Sequence, residues 1–130
     1  MATGYVNSTS YNKAKWCLVY TEDTPNMGVT KVSYSLITTG REKEPSPTAY
    51  TTFCHMKIYD INWNLLVQED FEWPTTIKSF TGQERATGSF NVYHNNSGIG
   101  KFIVTFNVAF HNDTLNNPGG YNNEETVTIS

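Results

Sequence analysis

Between residues 88 and 111 the chain alternates apolar and polar positions almost without a break (GSFNVYHNNSGIGKFIVTFNVAFH). In its second half Phe102, Val104, Phe106, Val108 and Phe110 recur at every second position, with Lys101, Thr105, Asn107 and His111 in most of the gaps. A period of two puts the five apolar groups on one face of a strand, whereas a helical turn would scatter them around its circumference. The pattern predicts two amphipathic strands folded back on each other around a Gly/Asn-rich turn.

The same alternation recurs along the chain. Trp16, Leu18 and Tyr20 share one face of a strand over residues 15–21, and turn chemistry follows at residues 22–28 (EDTPNMG). Val32, Tyr34 and Leu36 mark a second strand over 29–37, and the charged, proline-bearing segment 40–47 cannot continue a ladder. Residues 50–58 form the next strand, with Cys54, Met56 and Ile58 on one face and Phe53 and His55 on the other. Residues 60–64 (DINWN) read as a tight hairpin into Leu65, Leu66 and Val67. The stretch after Asp70 carries Pro74, which points to an edge strand or a crossing connection. Segment 112–120 is a loop, and residues 121–129 close the pattern with Val127 and Ile129 in register. About seven to nine short strands separated by turns, without a helix or repeat, predict an antiparallel β-sandwich, immunoglobulin-like or jelly-roll.

Composition sharpens this picture. The 130 residues fit one domain, 1–130, able to bury a core without staples. Aromatics reach 14% and charged residues only 16%, which suits strands with polar outer faces better than helices. A net charge of −3 supplies no electrostatic footprint for nucleic acid. No apolar run reaches the roughly 18 residues of a membrane span, so no membrane insertion is expected, and the first residues lack the apolar core of a signal peptide. Cys17 and Cys54, the only cysteines, read as reduced core residues, with a bridge between sheets as the alternative.

The segment Gly88-Ser89-Phe90, Val92, His94-Asn95, Gly98 and Lys101 resembles a pattern of tail-associated minor structural proteins of siphophages. The start, Met1-Ala2-Thr3-Gly4, the middle strand-turn-strand and the closing Thr-Val-Thr-Ile strand are also similar. The chain departs from the pattern in a turn one residue longer and in Ser97 where the family carries Asp. The resemblance implies a virion tail or fibre component, made in the bacterial cytoplasm, that self-associates as a homo-oligomer and contacts other tail proteins. It implies no reaction and no cofactor.

Catalytic chemistry finds little support. His55, His94 and His111 lack the spacing of a zinc site, and no metal site is expected. His94 is expected to hydrogen-bond the backbone of its turn. Glu69, Asp70 and Glu72 are the candidate acids for glycoside cleavage, which needs two carboxyl groups about 5–10 Å apart, but they read as a solvated rim. No phosphate loop, nucleophile elbow or cysteine–histidine signature occurs. The chain is therefore expected not to be an enzyme. Binding has better candidates: Trp63 in a hairpin turn, Trp73 beside Pro74, and Tyr59 and Asp60 at a strand end. An aromatic face can stack on the C–H groups of a sugar while neighbouring polar side chains take its hydroxyls. Two functions follow: a structural tail protein built on protein–protein contacts, and a module binding a bacterial wall polysaccharide through Trp63, Tyr59, Asp60 and Trp73.

Overall fold

The computed structural model describes residues 3–8, 15–26, 28–39, 50–77, 83–94, 100–111 and 121–129. Within them the chain forms eight strands: β1 (Thr3–Asn7), β2 (Lys15–Asn26), β3 (Val29–Thr39), β4 (Tyr50–Asp60), β5 (Leu65–Ile77), β6 (Gln83–Tyr93), β7 (Gly100–His111) and β8 (Tyr121–Ile129). They build two four-stranded antiparallel sheets, ordered β1-β2-β3-β6 and β5-β4-β7-β8. This is the all-β sandwich expected from the alternation. In an immunoglobulin-like order the second and third strands lie in different sheets, whereas here β2 and β3 pair along most of their length.

The inner faces interlock in one core. Trp16, Leu18, Val32, Leu36, Met56, Ile58, Phe102 and Val104 are fully buried, and Phe106 and Val108 continue the β7 stripe. Aromatic rings cross the gap between sheets: Trp16 packs on Phe71 with centroids 5.0 Å apart, and Tyr20 meets Phe102 edge-on at 5.5 Å. Trp16 is thus a core anchor. The side chain of Phe110 lies outside the described residues, as do the loops expected at 40–47 and 112–120.

One expectation is corrected. The two arms of the 88–111 segment do not pair with each other: β6 is bonded to β3 in one sheet and β7 to β4 and β8 in the other. They form an arch, not a hairpin, and their apolar faces meet across the core, where Phe90 and Phe102 make an edge-on contact at 5.1 Å. Alternation fixes only which residues face inward, and an arch and a hairpin satisfy it equally. The arch buries both apolar stripes against each other instead of side by side. The turn residues 95–99 lie outside the described residues.

Other differences are smaller. A short strand, β1, precedes the first strand of the alternation and pairs with it, and β2 runs on through the expected break to Asn26, with a bulge between Asp23 and Asn26. Gly28 then turns the chain with φ 84°, a region that favours glycine. Pro74 lies on β5, an edge strand, where its missing donor costs no ladder bond on the outer side. Cys54 is buried on the inner face of β4, and Cys17 lies next to inward-facing Trp16 and Leu18, on the opposite face of β2. Both thiols are free, and burial pushes both above their ordinary pKa.

Candidate functional site

The outer face of the β5-β4-β7-β8 sheet is formed by the residues that alternate with the core stripe. Cys54, Met56 and Ile58 face inward, so Phe53, His55, Lys57 and Tyr59 face outward; Thr105 and Asn107 do the same on β7. Register then aligns these polar groups across the four strands. Asp70, His55, Asn107 and Asn122 are successive cross-strand partners, and Gln68, Lys57, Thr105 and Glu124 form the next row. All eight line an open groove of about 830 Å³, with Tyr59 towards one end. Crossing four strands gives the groove a length of roughly 14 Å.

Hydrogen bonds fix the β4–β5 side of the floor. The His55 Nδ1 and an Asp70 carboxylate oxygen lie 2.8 Å apart, and Gln68 Nε2 donates to the other Asp70 oxygen at 2.7 Å. These two bonds, the His55 one foremost, hold the Asp70 carboxyl below its ordinary range. Glu72 lies 3.8 Å from His55 Nε2, and the Phe53 ring packs against the imidazole at 5.4 Å. The β7–β8 side differs: the Asn107 side-chain oxygen is buried without a hydrogen-bond partner among the described residues. A buried, unpaired amide oxygen is a cost to the fold, and it lies between His55 and Asn122 in the row.

The aromatic end of the groove is built by the β4–β5 turn. Asp60 N–H donates to the Asn64 carbonyl at 3.0 Å and Trp63 N–H to the Asp60 carbonyl at 3.1 Å. The Asp60 carboxylate accepts from Asn62 N–H, Asn64 N–H and Asn64 Nδ2, each at 2.9 Å. Trp63 adopts φ 64°, the left-handed position that glycine ordinarily fills in such a turn, at a cost of about 1–2 kcal/mol. Its ring is half exposed and meets Tyr59 edge-on at 5.2 Å.

Of the four sequence-predicted site residues, Tyr59, Trp63 and Asp60 are brought together. Tyr59 lines the groove and Trp63 backs it, whereas Asp60 spends its carboxylate on the turn and acts as its organiser. The Trp73 side chain lies outside the described residues. The three acids divide between the two faces of β5: Asp70 and Glu72 stand beside His55, 2.8 and 3.8 Å from its two ring nitrogens. Glu69 faces the other sheet and accepts from the Tyr34 hydroxyl at 3.1 Å, while Asp70 faces the groove. His94 bonds the buried Thr30 hydroxyl (2.6 Å) through Nε2, and its N–H donates to the Gly28 carbonyl; the turn it was expected to serve lies outside the described residues. Among the described residues no group of three or more His, Cys, Asp or Glu side chains is arranged to hold a metal ion.

Asp60 and Asp70 also set an acid dependence. Both carboxyls are held below the ordinary value of 3.8, Asp60 chiefly by the Asn64 side chain and Asp70 chiefly by His55. A depressed folded pKa gives stability that is complete above the ordinary value and is lost as pH falls through the folded one. Urea midpoints should therefore decline below pH 3.8, and Asp60→Ala should flatten part of that decline. A slope unchanged in this variant would remove Asp60 from the account.

No protein-family model matches the chain, and no curated protein matches it. Among solved structures it is similar to a protein from Archaeoglobus fulgidus known from its crystal structure, with 11% identity over 87% of this chain and 95% of that one and a TM-score of 0.39. That degree of likeness bears on no residue of the groove.

Proposed function

We propose that the protein is a non-enzymatic module that binds a carbohydrate chain across the outer face of the β5-β4-β7-β8 sheet. In keeping with the tail-protein resemblance, it would serve in a bacteriophage virion that meets a bacterial wall. The observation that carries the reading is the double row of polar side chains, Asp70 to Asn122 and Gln68 to Glu124, lining one groove that ends at Tyr59. Amide, carboxylate, imidazole and hydroxyl groups together match a ligand that offers many hydroxyls as both donors and acceptors. The Tyr59 face supplies the apolar surface on which a sugar ring stacks. The groove volume lies within the range of small-ligand sites.

Charge narrows the ligand. Asp70 and Glu124 line the groove with Lys57 as its one lysine or arginine among the described residues, and Glu72 stands beside His55. A neutral oligosaccharide is favoured over one bearing uronic acids or phosphates. Calorimetric titration with cellohexaose, chitohexaose, a β-1,3-glucan and oligogalacturonate should show binding to at least one neutral sugar and weaker binding to the acid. Asn107→Ala should weaken that binding without lowering stability, because it takes one amide from the polar row and removes an unsatisfied buried acceptor. Absence of binding to every sugar on this panel and to bacterial wall polysaccharide would sink the proposal.

A second reading, a structural tail subunit without a small ligand, is favoured by a separate feature. Ile61, Leu65 and Leu66 around the β4–β5 turn and Tyr93 at the end of β6 are exposed, and Ile61, Leu66 and Tyr93 line one cleft of about 370 Å³. Exposed apolar residues in a group mark contact surfaces. On that reading Leu66→Ala weakens assembly with other tail proteins, and no sugar on the panel binds.

A further inference from the structure

The two sheets leave four strand edges, on β1, β6, β5 and β8, and three of them are blunted. β1 is only five residues long. β5 carries Glu69, Asp70, Glu72 and Pro74, and β8 carries Glu124 and Glu125. Acidic residues, proline and short length are the devices that keep an edge from pairing with another chain. β6 differs. Its two charged residues, Glu84 and Arg85, lie at its start and are opposite in sign; over residues 86–93 (ATGSFNVY) it has no charged side chain and no proline, and among the described residues it bonds only to β3. Thr87, Ser89, Asn91 and Tyr93 are exposed along its outer face.

We propose that β6 is an assembly edge at which a second copy of this chain pairs antiparallel, joining two β1-β2-β3-β6 sheets into one continuous sheet. Charge selects both the strand and the occupant. A two-fold axis at the middle of a strand sets that strand against itself along its full length; β5 would then place Asp70 opposite Glu72 and β8 Glu125 opposite its own copy, a destabilising arrangement. The uncharged run of β6 meets itself without that cost. Strand alternation is kept across the axis: Ala86, Phe90 and Val92 extend the core face, and Thr87, Ser89 and Asn91 the polar face. Tyr93, 74% exposed at the end of β6, supplies an aromatic anchor at the rim of the joined sheet. The groove lies on the other sheet, so pairing at β6 leaves its floor open and gives the assembly two grooves, one per copy.

Sedimentation equilibrium of the full chain over a range of concentrations tests this. The wild-type chain should form a dimer. The double substitution Ser89→Lys with Asn91→Lys, on exposed outer-face positions, should weaken dimerisation about tenfold or more. Thr128→Lys on β8, exposed but on another edge, should leave it intact. Hydrogen exchange adds a readout independent of the variants: β6 amides should gain protection as wild-type concentration rises. A wild-type chain that stays monomeric, a dimer equally strong in the double variant, or β6 amides whose protection does not change with dimer formation would each overturn the proposal.

Discussion

Phe106→Ala should lower unfolding stability by about 3–5 kcal/mol, a large share of what a domain of this size has. Phe106 is 2% exposed in the middle of β7, which is flanked on both sides, by β4 and β8. Its cross-strand partners are Met56 and Asn123, and its ring belongs to the cluster that both sheets share. Truncation removes a ring from between two hydrogen-bonded layers that cannot close on the space, so the transfer and cavity costs add. The adjacent substitution Asn107→Ala, one residue along and on the opposite face, should cost almost nothing. Urea unfolding of the two variants measures the contrast. Equal losses would mean that the inside and outside of β7 are misassigned.

The second large effect is expected at Gly88. A methyl group there would lie 2.6 Å from the Tyr34 hydroxyl oxygen and 2.8 Å from its ring, because Tyr34 is the cross-strand partner and folds over the glycine. The ring cannot step aside cheaply. Its hydroxyl donates to Glu69 on the opposite sheet, its face tilts against Phe90 at 6.2 Å, and it is 6% exposed. Burial and the Glu69 carboxylate push the phenol up to about 12, so this bond is intact at neutral pH. Gly88→Ala should therefore destabilise by about 1–3 kcal/mol, the usual range for overpacking. In the Tyr34→Ala background the same change should cost little, and a double-mutant cycle reads the difference as coupling. Additive losses would show that the glycine is required by its backbone and not by the tyrosine above it.

Gly88 also shows where sequence reading stops. It stood out as part of a Gly-Ser-Phe motif, but its reason is a ring on β3, and nothing local to residue 88 announces that partner. The β7 stripe was legible because alternation is a local property, and the sandwich followed from many such strands. The arch was not legible. Phe90 and Val92 face inward whether β6 pairs with β7 or opposes it, and only the choice of β3 as neighbour decides.

The candidate site divides in the same way. Its aromatic end was visible, since Trp63 and Tyr59 lie four residues apart around one turn. Its polar floor was not, because Asp70, His55, Asn107 and Asn122 come from four strands and are aligned only by register. A local signal existed in part: His55 and Lys57 alternate with Cys54, Met56 and Ile58, as Thr105 and Asn107 do with Val104, Phe106 and Val108. Polar groups that alternate with a core stripe on two strands mark the outer face of a sheet, but the order of the strands has to be known before they form a row.

Sugar binding at the outer face of the β5-β4-β7-β8 sheet is tested most directly by amide chemical-shift mapping of the full chain. On titration with a neutral oligosaccharide from the panel that binds, shifts should concentrate at His55, Lys57, Asn107 and Asn122 and extend to Tyr59 and Trp63. Val19, Ser33 and Ser89 on the outer face of the opposite sheet should stay still. Shifts confined to that opposite face, or to the exposed apolar residues Ile61, Leu66 and Tyr93 with the polar rows unmoved, would contradict it.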